Sequence, residues 1–573
     1  MDYKEHLAQW TAALSGTEYA PEMEKLAADP ALAEDSFYQF LEFGTAGMRG
    51  TLALGTNRMN IFTVRRATQG LAEYLKAAGK CEQGVCIAYD SRINSDVFAA
   101  ETARVLATNG VKVYLYETLH SVPQLSFTIL HLQCAAGVVI TASHNPPEYN
   151  GYKVYGADGG QLATEDAATV TGFINKVEDY LTAVPMELSE AIEKGIVTMI
   201  GKEIDEAYFA KVKSLLIDPS VIASQADNLK VVYTPLYGTG NVPVCRLLSD
   251  IGIKNLQVVE EQRLPNGNFP GLSAPNPENR EVFTKAFELA NASGANMIIA
   301  TDPDCDRMGV AVRTGSGEFV VLTGNQIGCI LMDYILRAKK PAFTGDEFVV
   351  KSVVSTTMAD AIAAYYGAEM RNVLTGFKFI AEQIKLSEQS GKGKFCFGFE
   401  ESYGYLSGTF VRDKDAAMAS MLLTEAACYY DAQGMTLYDA LQALYARHGF
   451  FKEAVISLTL SGMEGIAKIK GAVEALRKDP PKAVGEFKFT TLSDFATGVK
   501  TDLSSGETAP IGLPATNMLY FEFDGGRMIL RPSGTEPKLK AYVSVVNADE
   551  AIATEKLAEL EALTKALMAE YTK

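Results

Sequence analysis

The chain has 573 residues, with 52 Lys plus Arg against 70 Asp plus Glu, a net charge of −18. That length predicts about four domains at ~150 residues each, and 47% hydrophobic with 21% charged residues excludes a disordered, collagen-like or coiled-coil chain. Excess negative charge repels a phosphate backbone, so nucleic acid is not an expected partner, although a local Arg/Lys cluster can still capture a small anion.

Eight cysteines (Cys81, Cys86, Cys134, Cys245, Cys305, Cys329, Cys396 and Cys428) form no C-x-x-C pair and do not cluster with the five histidines. This predicts reduced intracellular thiols, mostly small core residues. The opening MDYKEHLAQWTAAL carries Asp2, Lys4 and Glu5 and lacks the apolar run of a secretory signal. No apolar stretch approaches the ~20 residues that a spanning helix needs. A cytoplasmic protein with no membrane partner is expected.

In chain order, three stretches repeat strand, polar turn, amphipathic helix and strand. Their strands are predicted near 85–89 and 111–116, near 230–234 and 256–259, and near 348–353 and 371–374. Each helix stops near a glycine, Gly110, Gly252 or Gly367. Such units imply parallel pairing and three related α/β domains. After residue 449 the pattern changes to strands, a helix over 463–477, a hairpin turning at Asp524-Gly525-Gly526, and a charged C-terminal helix. The fold class is therefore α/β with four domains. Three related α/β domains with mixed or parallel sheets cover 1–205, 206–322 and 323–448; a smaller α+β domain with an antiparallel sheet covers 449–573.

Chemistry concentrates in short segments. GVVITASHNPPEYNGYKV (137–154) runs from an apolar strand into a polar loop, placing Ser143 where α/β sheets present reactive groups. A Ser-His dipeptide alone reads as a turn. MIIATDPDCDRMGVAV (297–312) ends a second apolar strand in Asp302, Asp304 and Asp306. Alternating carboxylates can converge on one hard cation and repel strongly without one. An EF-hand is excluded because Arg313 occupies its twelfth loop position. A D-x-D at a strand end also suits a phosphatase with an Asp nucleophile. Arg307 beside the carboxylates can hold a phosphate oxygen. In FCFGFEESYGYLSG (395–408), alternation would face Glu400 and Ser402 the same way, suiting adjacent sugar hydroxyls. In ILRPSGTEPKLKAYV (529–543), Arg531, the Ser533 and Thr535 hydroxyls, the Gly534 amide and Lys540 can surround a dianionic phosphate.

TASHNP, D-x-D-x-D-R, E-x-S and R-x-S-G-T in this order resemble the α-D-phosphohexomutase superfamily of phosphoglucomutases and phosphomannomutases over nearly the whole chain. The resemblance implies that Ser143 carries a phosphoryl group and that Asp302, Asp304 and Asp306 bind Mg²⁺, with a phosphoserine oxygen of Ser143 as a further ligand. It implies that Lys153 and Arg49, in FGTAGMRG, are basic residues near the phosphoserine, and that His144 adjoins it. It implies sugar hydroxyl contacts from Glu400 and Ser402, and a grip on the phosphate not being transferred from the Arg531–Lys540 loop. Thr375-Gly376-Phe377-Lys378 resembles the T-G-W-K loop of phosphoglucomutases, where sugar specificity is set. Two departures stand out: Phe399 separates Gly398 from Glu400, and Tyr403-Gly404-Tyr405 replaces the Gly-His of the phosphomannomutase branch. The expectation is a glucose 1-phosphate/glucose 6-phosphate mutase, acting through glucose 1,6-bisphosphate in a cleft that excludes water, as monomer or homodimer. Phosphopentomutase, phosphomannomutase and glucose-1,6-bisphosphate synthase are the alternatives within the superfamily. A metal-dependent phosphohydrolase and a non-catalytic sugar-phosphate sensor lie outside it.

Overall fold

The run Val85–Tyr89 buries every residue but the last, as a strand covered on both faces must. It pairs in parallel with Val113–Tyr116 on one side and Ala136–Ile140 on the other, and helix Ser95–Thr108 makes the first crossover. The chain then doubles back. Tyr149–Gly156 runs antiparallel to Ala136–Ile140, Met48–Thr51 runs antiparallel to it in turn, and Val197–Ile200 joins the far edge in parallel. The result is a six-stranded mixed sheet. These are coordinates of a computed structural model, which describes residues 2–44, 47–460, 462–533 and 538–572.

A five-stranded sheet follows the same plan. Lys230–Thr234 pairs in parallel with Asn255–Val258 and Met297–Thr301, while Met308–Arg313 and Phe319–Leu322 extend it antiparallel. A capping box at Thr323 starts helix Gly324–Lys339. Lys394–Glu400 and Gly404–Leu406 form a hairpin, and helix Ala416–Asp431 is buried over nearly its whole length.

The chain packs as two compact units, Met1–Phe348 with Phe377–Tyr438, and Val349–Gly376 with Asp439–Lys573. Residues 349–376, inside the span read as the third domain, thus pack with the second unit. That unit is built on an eight-stranded sheet whose described pairings are all antiparallel. Its hairpin turns at Asp524-Gly525, with Gly525 at φ +78°. Met528, Leu530, Leu539, Ala541 and Val543 face the core formed with helices Gly462–Lys478 and Glu550–Tyr571. All eight cysteines are free thiols, six of them buried. Among the described residues, no helix is long and apolar enough to cross a membrane.

Close strand approach fixes the loop that carries Ser143. Gly151 lies opposite Arg49, and a Cβ there would sit 2.5 Å from the Thr141 carbonyl oxygen and 2.8 Å from that of Met48. Gly151→Ala should therefore push apart the strands flanking the loop and cost ~1–3 kcal/mol. Urea unfolding compared with wild type measures it; an unchanged midpoint would contradict this packing.

Candidate active site

Ser143 follows strand Ala136–Ile140 in the left-handed region, at φ +51°, a conformation that costs a non-glycine residue ~1–2 kcal/mol. Two neighbours hold it there. The Thr141 hydroxyl accepts a hydrogen bond from the Ser143 amide at 2.8 Å, and buried Arg92 donates to the carbonyls of Ser143 (2.6 Å), Asn145, Pro146 (2.9 Å) and Tyr149 (2.9 Å). Asp90 orients Arg92, accepting from its amide at 2.9 Å and facing its Nε at 3.5 Å. The ring of Phe269 covers the guanidinium, 5.0 Å from centroid to Cζ. Arg92 was not among the expected site residues.

The metal loop meets this loop directly. Ser143 Oγ donates to Asp302 Oδ2 at 2.8 Å and lies 3.1 Å from His144 Nδ1. Asp302 Oδ1 accepts from the amides of Asp306 (3.1 Å) and Arg307 (2.9 Å), which folds the D-x-D-x-D turn back on itself. Lys153 Nζ donates to Asp304 Oδ2 at 2.9 Å, and the Thr141 hydroxyl donates to the same oxygen at 3.2 Å. Lys414 Nζ sits 3.0 Å from Asp306 Oδ2 and 2.8 Å from Asp413 Oδ1. Arg49 reaches the loop through Asn145 Oδ1 at 2.8 Å.

Electrostatics follow from this burial. Burial and the neighbouring Asp304 and Asp306 charges push the Asp302 carboxyl well above its ordinary range; burial and Asp304 raise that of Asp306. Burial also pushes Asp304 up, but Lys153 and Lys414 reverse that and hold it below the ordinary value. Lys414 loses to burial and gains more from Asp306 and Asp413, which fix it as an ammonium. His144 is driven well below the ordinary imidazole value by burial and by the Arg307 and Arg49 charges, so it stands neutral.

Lys153 faces Asp304, and Lys414 is shared between Asp306 and Asp413. One oxygen of each of the three Asp lies within 4.8 Å of the others, and the Oδ1 atoms of Asp304 and Asp306 are buried with no hydrogen-bond partner. Oxygen donors left bare inside a protein fit a hard divalent cation.

Other expected residues fall as follows. Arg307 is engaged by Glu278 at 2.8 Å, and its backbone bridges Gly404, which docks the E-E-S hairpin on the metal loop. Glu400 ends its strand buried, opposite Gly404, but the reading of 400 and 402 as one strand face is corrected. Residues 401–403 form the hairpin turn, with Tyr403 at φ +68°, so alternation stops at Glu400. Lys378 opens helix Phe377–Ser390, Nζ 3.4 Å from Thr164 Oγ1. Within the second unit, Thr375 and Gly376 (φ +121°) follow strand Glu369–Val373. Arg531 lies directly opposite Lys540, and Ser533 donates its amide to the Lys538 carbonyl at 2.7 Å. Gly534 and Thr535 lie outside the described residues.

Raised pKa values for Asp302 and Asp306 mean that the folded chain holds protons which the unfolded chain releases. Their contribution to stability is present at low pH and lost as pH rises through the folded values. Added Mg²⁺ or Mn²⁺ should therefore raise the unfolding temperature, and more at pH 8 than at pH 5, where protons compete for the same oxygens. At a hundredfold excess over Kd the gain is ~2.7 kcal/mol. Asp304→Asn should shrink it; no cation response in wild type by calorimetry would remove the metal from this site.

The matches to known proteins agree with this arrangement. Family models for phosphoglucomutase/phosphomannomutase cover residues 41–181 (alpha/beta/alpha domain I), 206–315 (domain II), 323–448 (domain III) and 498–562 (C-terminal domain). A phosphoglucomutase of Staphylococcus saprophyticus is 37% identical over 516 residues, covering 90% of this chain and 92% of that one. One from Staphylococcus epidermidis is 39% identical over 506 residues, covering 88% and 90%. The open form of the Paramecium phosphoglucomutase parafusin shares the fold at TM-score 0.66 and 16% identity, over 92% of this chain and 95% of that one. A phosphoglucomutase/phosphomannomutase family protein of Burkholderia thailandensis does so at TM-score 0.64 and 17% identity, over 92% and 97%. With the serine and the aspartate triad on adjoining loops and four domain matches along its length, the chain belongs to the phosphoglucomutase/phosphomannomutase family.

Proposed function

We propose that the chain interconverts glucose 1-phosphate and glucose 6-phosphate, with Ser143 as the phosphoryl carrier and glucose 1,6-bisphosphate as the intermediate. The observation that carries this reading is the 2.8 Å contact between Ser143 Oγ and a buried carboxylate of the aspartate triad. The Staphylococcus relatives, named phosphoglucomutases at 37–39% identity, favour glucose over the other sugars of the superfamily. The four-domain division at 205, 322 and 448 and action in the cytoplasm belong to the same reading.

In the forward direction, the bond between phosphorus and Ser143 Oγ breaks as one forms to the 6-hydroxyl oxygen of glucose 1-phosphate. The bisphosphate then returns its 1-phosphoryl group to Ser143, leaving glucose 6-phosphate. Asp302, Asp304 and Asp306 would hold Mg²⁺, with an oxygen of the phosphorylated Ser143 beside them. When bound, the ion supplies positive charge that offsets the charge on the serine oxygen and the phosphoryl group. Lys153 and Lys414 place ammonium groups against two of the carboxylates, and Asp304 is held ionised. Arg92 keeps Ser143 Oγ aimed at them by fixing four carbonyls of its loop. His144, neutral and 3.1 Å from Oγ, is assigned as an acceptor for the proton that the attacking hydroxyl must lose. Glu400, Ser402, Thr375, Gly376 and Lys378 are assigned to the sugar hydroxyls, with Arg307 and Arg49 beside the phosphoserine.

A mutase differs from a hydrolase in needing a second phosphate grip. Arg531 and Lys540 stand directly opposite on neighbouring strands, a pair of cations that suits a dianionic phosphate. Ser533, Gly534 and Thr535 complete that loop.

Ser143→Ala should lower turnover by several orders of magnitude with the fold intact. Intact mass of active wild type should show one phosphate that the variant lacks; phosphate on another residue would overturn the assignment. Arg531→Ala should remove a charge-assisted contact of ~1.5–3 kcal/mol. Glucose 1-phosphate and glucose 6-phosphate should then weaken by similar, roughly ten- to hundredfold factors, and more added bisphosphate should be needed. Steady-state kinetics in both directions decides; loss in only one direction, or release of inorganic phosphate without isomerisation, argues for a hydrolase.

A further inference from the structure

Strand Gly526–Pro532 carries two arginines on the face away from the apolar core. Met528 and Leu530 point into that core, whereas Arg527 and Arg531, four residues apart, share the opposite face. Arg531 is half-buried, but Arg527 is only 4% exposed. Its guanidinium donates to three consecutive carbonyls, those of Val353 (2.9 Å), Val354 (3.2 Å) and Ser355 (2.6 Å). Nε donates to Ser544 Oγ at 3.2 Å, and Nη1 to the Tyr520 hydroxyl at 3.3 Å. Glu453 stands 3.9 Å away, and Lys351 donates to the same Ser355 carbonyl at 3.4 Å.

The clamped loop leads to the expected sugar loop in one step. The Val353 amide donates to the Val373 carbonyl at 2.8 Å, and Thr375-Gly376 follow two residues later. An unbroken path thus runs from Arg531 along its strand to Arg527, through the Val353 peptide, to Val373 and Thr375. Every link lies inside the second unit. A guanidinium fork saturating three successive carbonyls fixes both position and orientation of the loop, which a lysine's single ammonium cannot do.

We infer that Arg527 is a positioning residue that locks the Thr375-Gly376 sugar loop to the Arg531/Lys540 phosphate strands, so that phosphate capture and sugar recognition are energetically coupled. This rests on the mutase reading, in which Thr375 meets the sugar and Arg531 the phosphate. Arg527 acts through the backbone it holds.

Two measurements test it. The first uses wild type and inorganic phosphate as the probe, read by hydrogen–deuterium exchange. Phosphate should slow exchange in peptides spanning 350–357 and 369–376 as well as 526–533, and Arg531→Ala should abolish all three effects. Protection confined to 526–533 would overturn the coupling while leaving the phosphate site standing. Protection at none of them would remove the phosphate site, and the coupling with it. The second is a double-mutant cycle of Thr375→Ala and Arg527→Lys on KM and kcat for glucose 1-phosphate. Each single change should raise KM more than it lowers kcat. In the double variant the KM increase should fall short of the product of the two by at least about threefold, beyond the roughly twofold scatter of independent sites. A merely structural role for Arg527 predicts multiplicative effects, and finding them would overturn the proposal. The exchange measurement decides alone if Arg527→Lys does not fold.

Discussion

Three buried carboxylates, one of them hydrogen-bonded to Ser143, set the terms for everything around them. Asp302, Asp304 and Asp306 are at most 2% exposed, and charges so placed cost several kcal/mol each unless paired. Lys153 and Lys414 offset two of them, from a strand of the first sheet and from the segment preceding helix Ala416–Asp431. The buried Oδ1 atoms of Asp304 and Asp306, without hydrogen-bond partners, make the site receptive to a cation. Apolar strands such as Met297–Thr301, which is buried throughout, wall the polar cluster. Low dielectric strengthens each pairing and makes each missing partner costly.

Stored strain sits on the loops that meet there. Ser143, Cys305 and Tyr403 all have positive φ without being glycine, at +51°, +52° and +68°. Each lies in a different loop: the Ser143 loop, the Asp302–Asp306 loop and the turn after Glu400. A strained residue persists only where its surroundings over-determine it. Here the restraint is visible: Arg92 on the carbonyls of 143–149, the Asp302 carboxylate on the amides of 306 and 307, and the Met308 amide on the Tyr403 carbonyl at 3.1 Å.

Much of this was legible from the chain alone, for a physical reason. Ser143 and the three Asp lie at the ends of apolar strands, and the spacing that puts the carboxylates together is local, two residues at a time. The strand–helix–strand repeats and the Asp524-Gly525 hairpin are local patterns as well. Arg92 and Lys414 carry little local signal because their partners are distant along the chain, Ser143 being 51 residues from Arg92 and Asp306 lying far upstream of Lys414. A Y-D-S-R run after a buried strand, and R-D-K-D before a mostly apolar helix, are the only signals. Glu400 and Ser402 were misaligned because period-two reasoning assumes that the strand continues, and it turns instead at 401–403.

The two buried arginines solve one problem in the same way. A loop that presents chemistry at a sheet edge leaves carbonyls without ladder partners, and buried orphan carbonyls are costly. A single guanidinium, with five donors in a rigid plane, satisfies several at once and fixes their mutual geometry. Arg92 does so for the Ser143 loop, stabilised by Asp90 and capped by Phe269. Arg527 does so for residues 353–355, supported by Ser544 and Tyr520. Each arginine sits at a strand start or just past a strand end, so the sheet supplies the rigidity and the guanidinium carries it into the loop. Each loop can then be held to the tolerance that phosphoryl transfer demands whatever its side chains, because what is gripped is backbone.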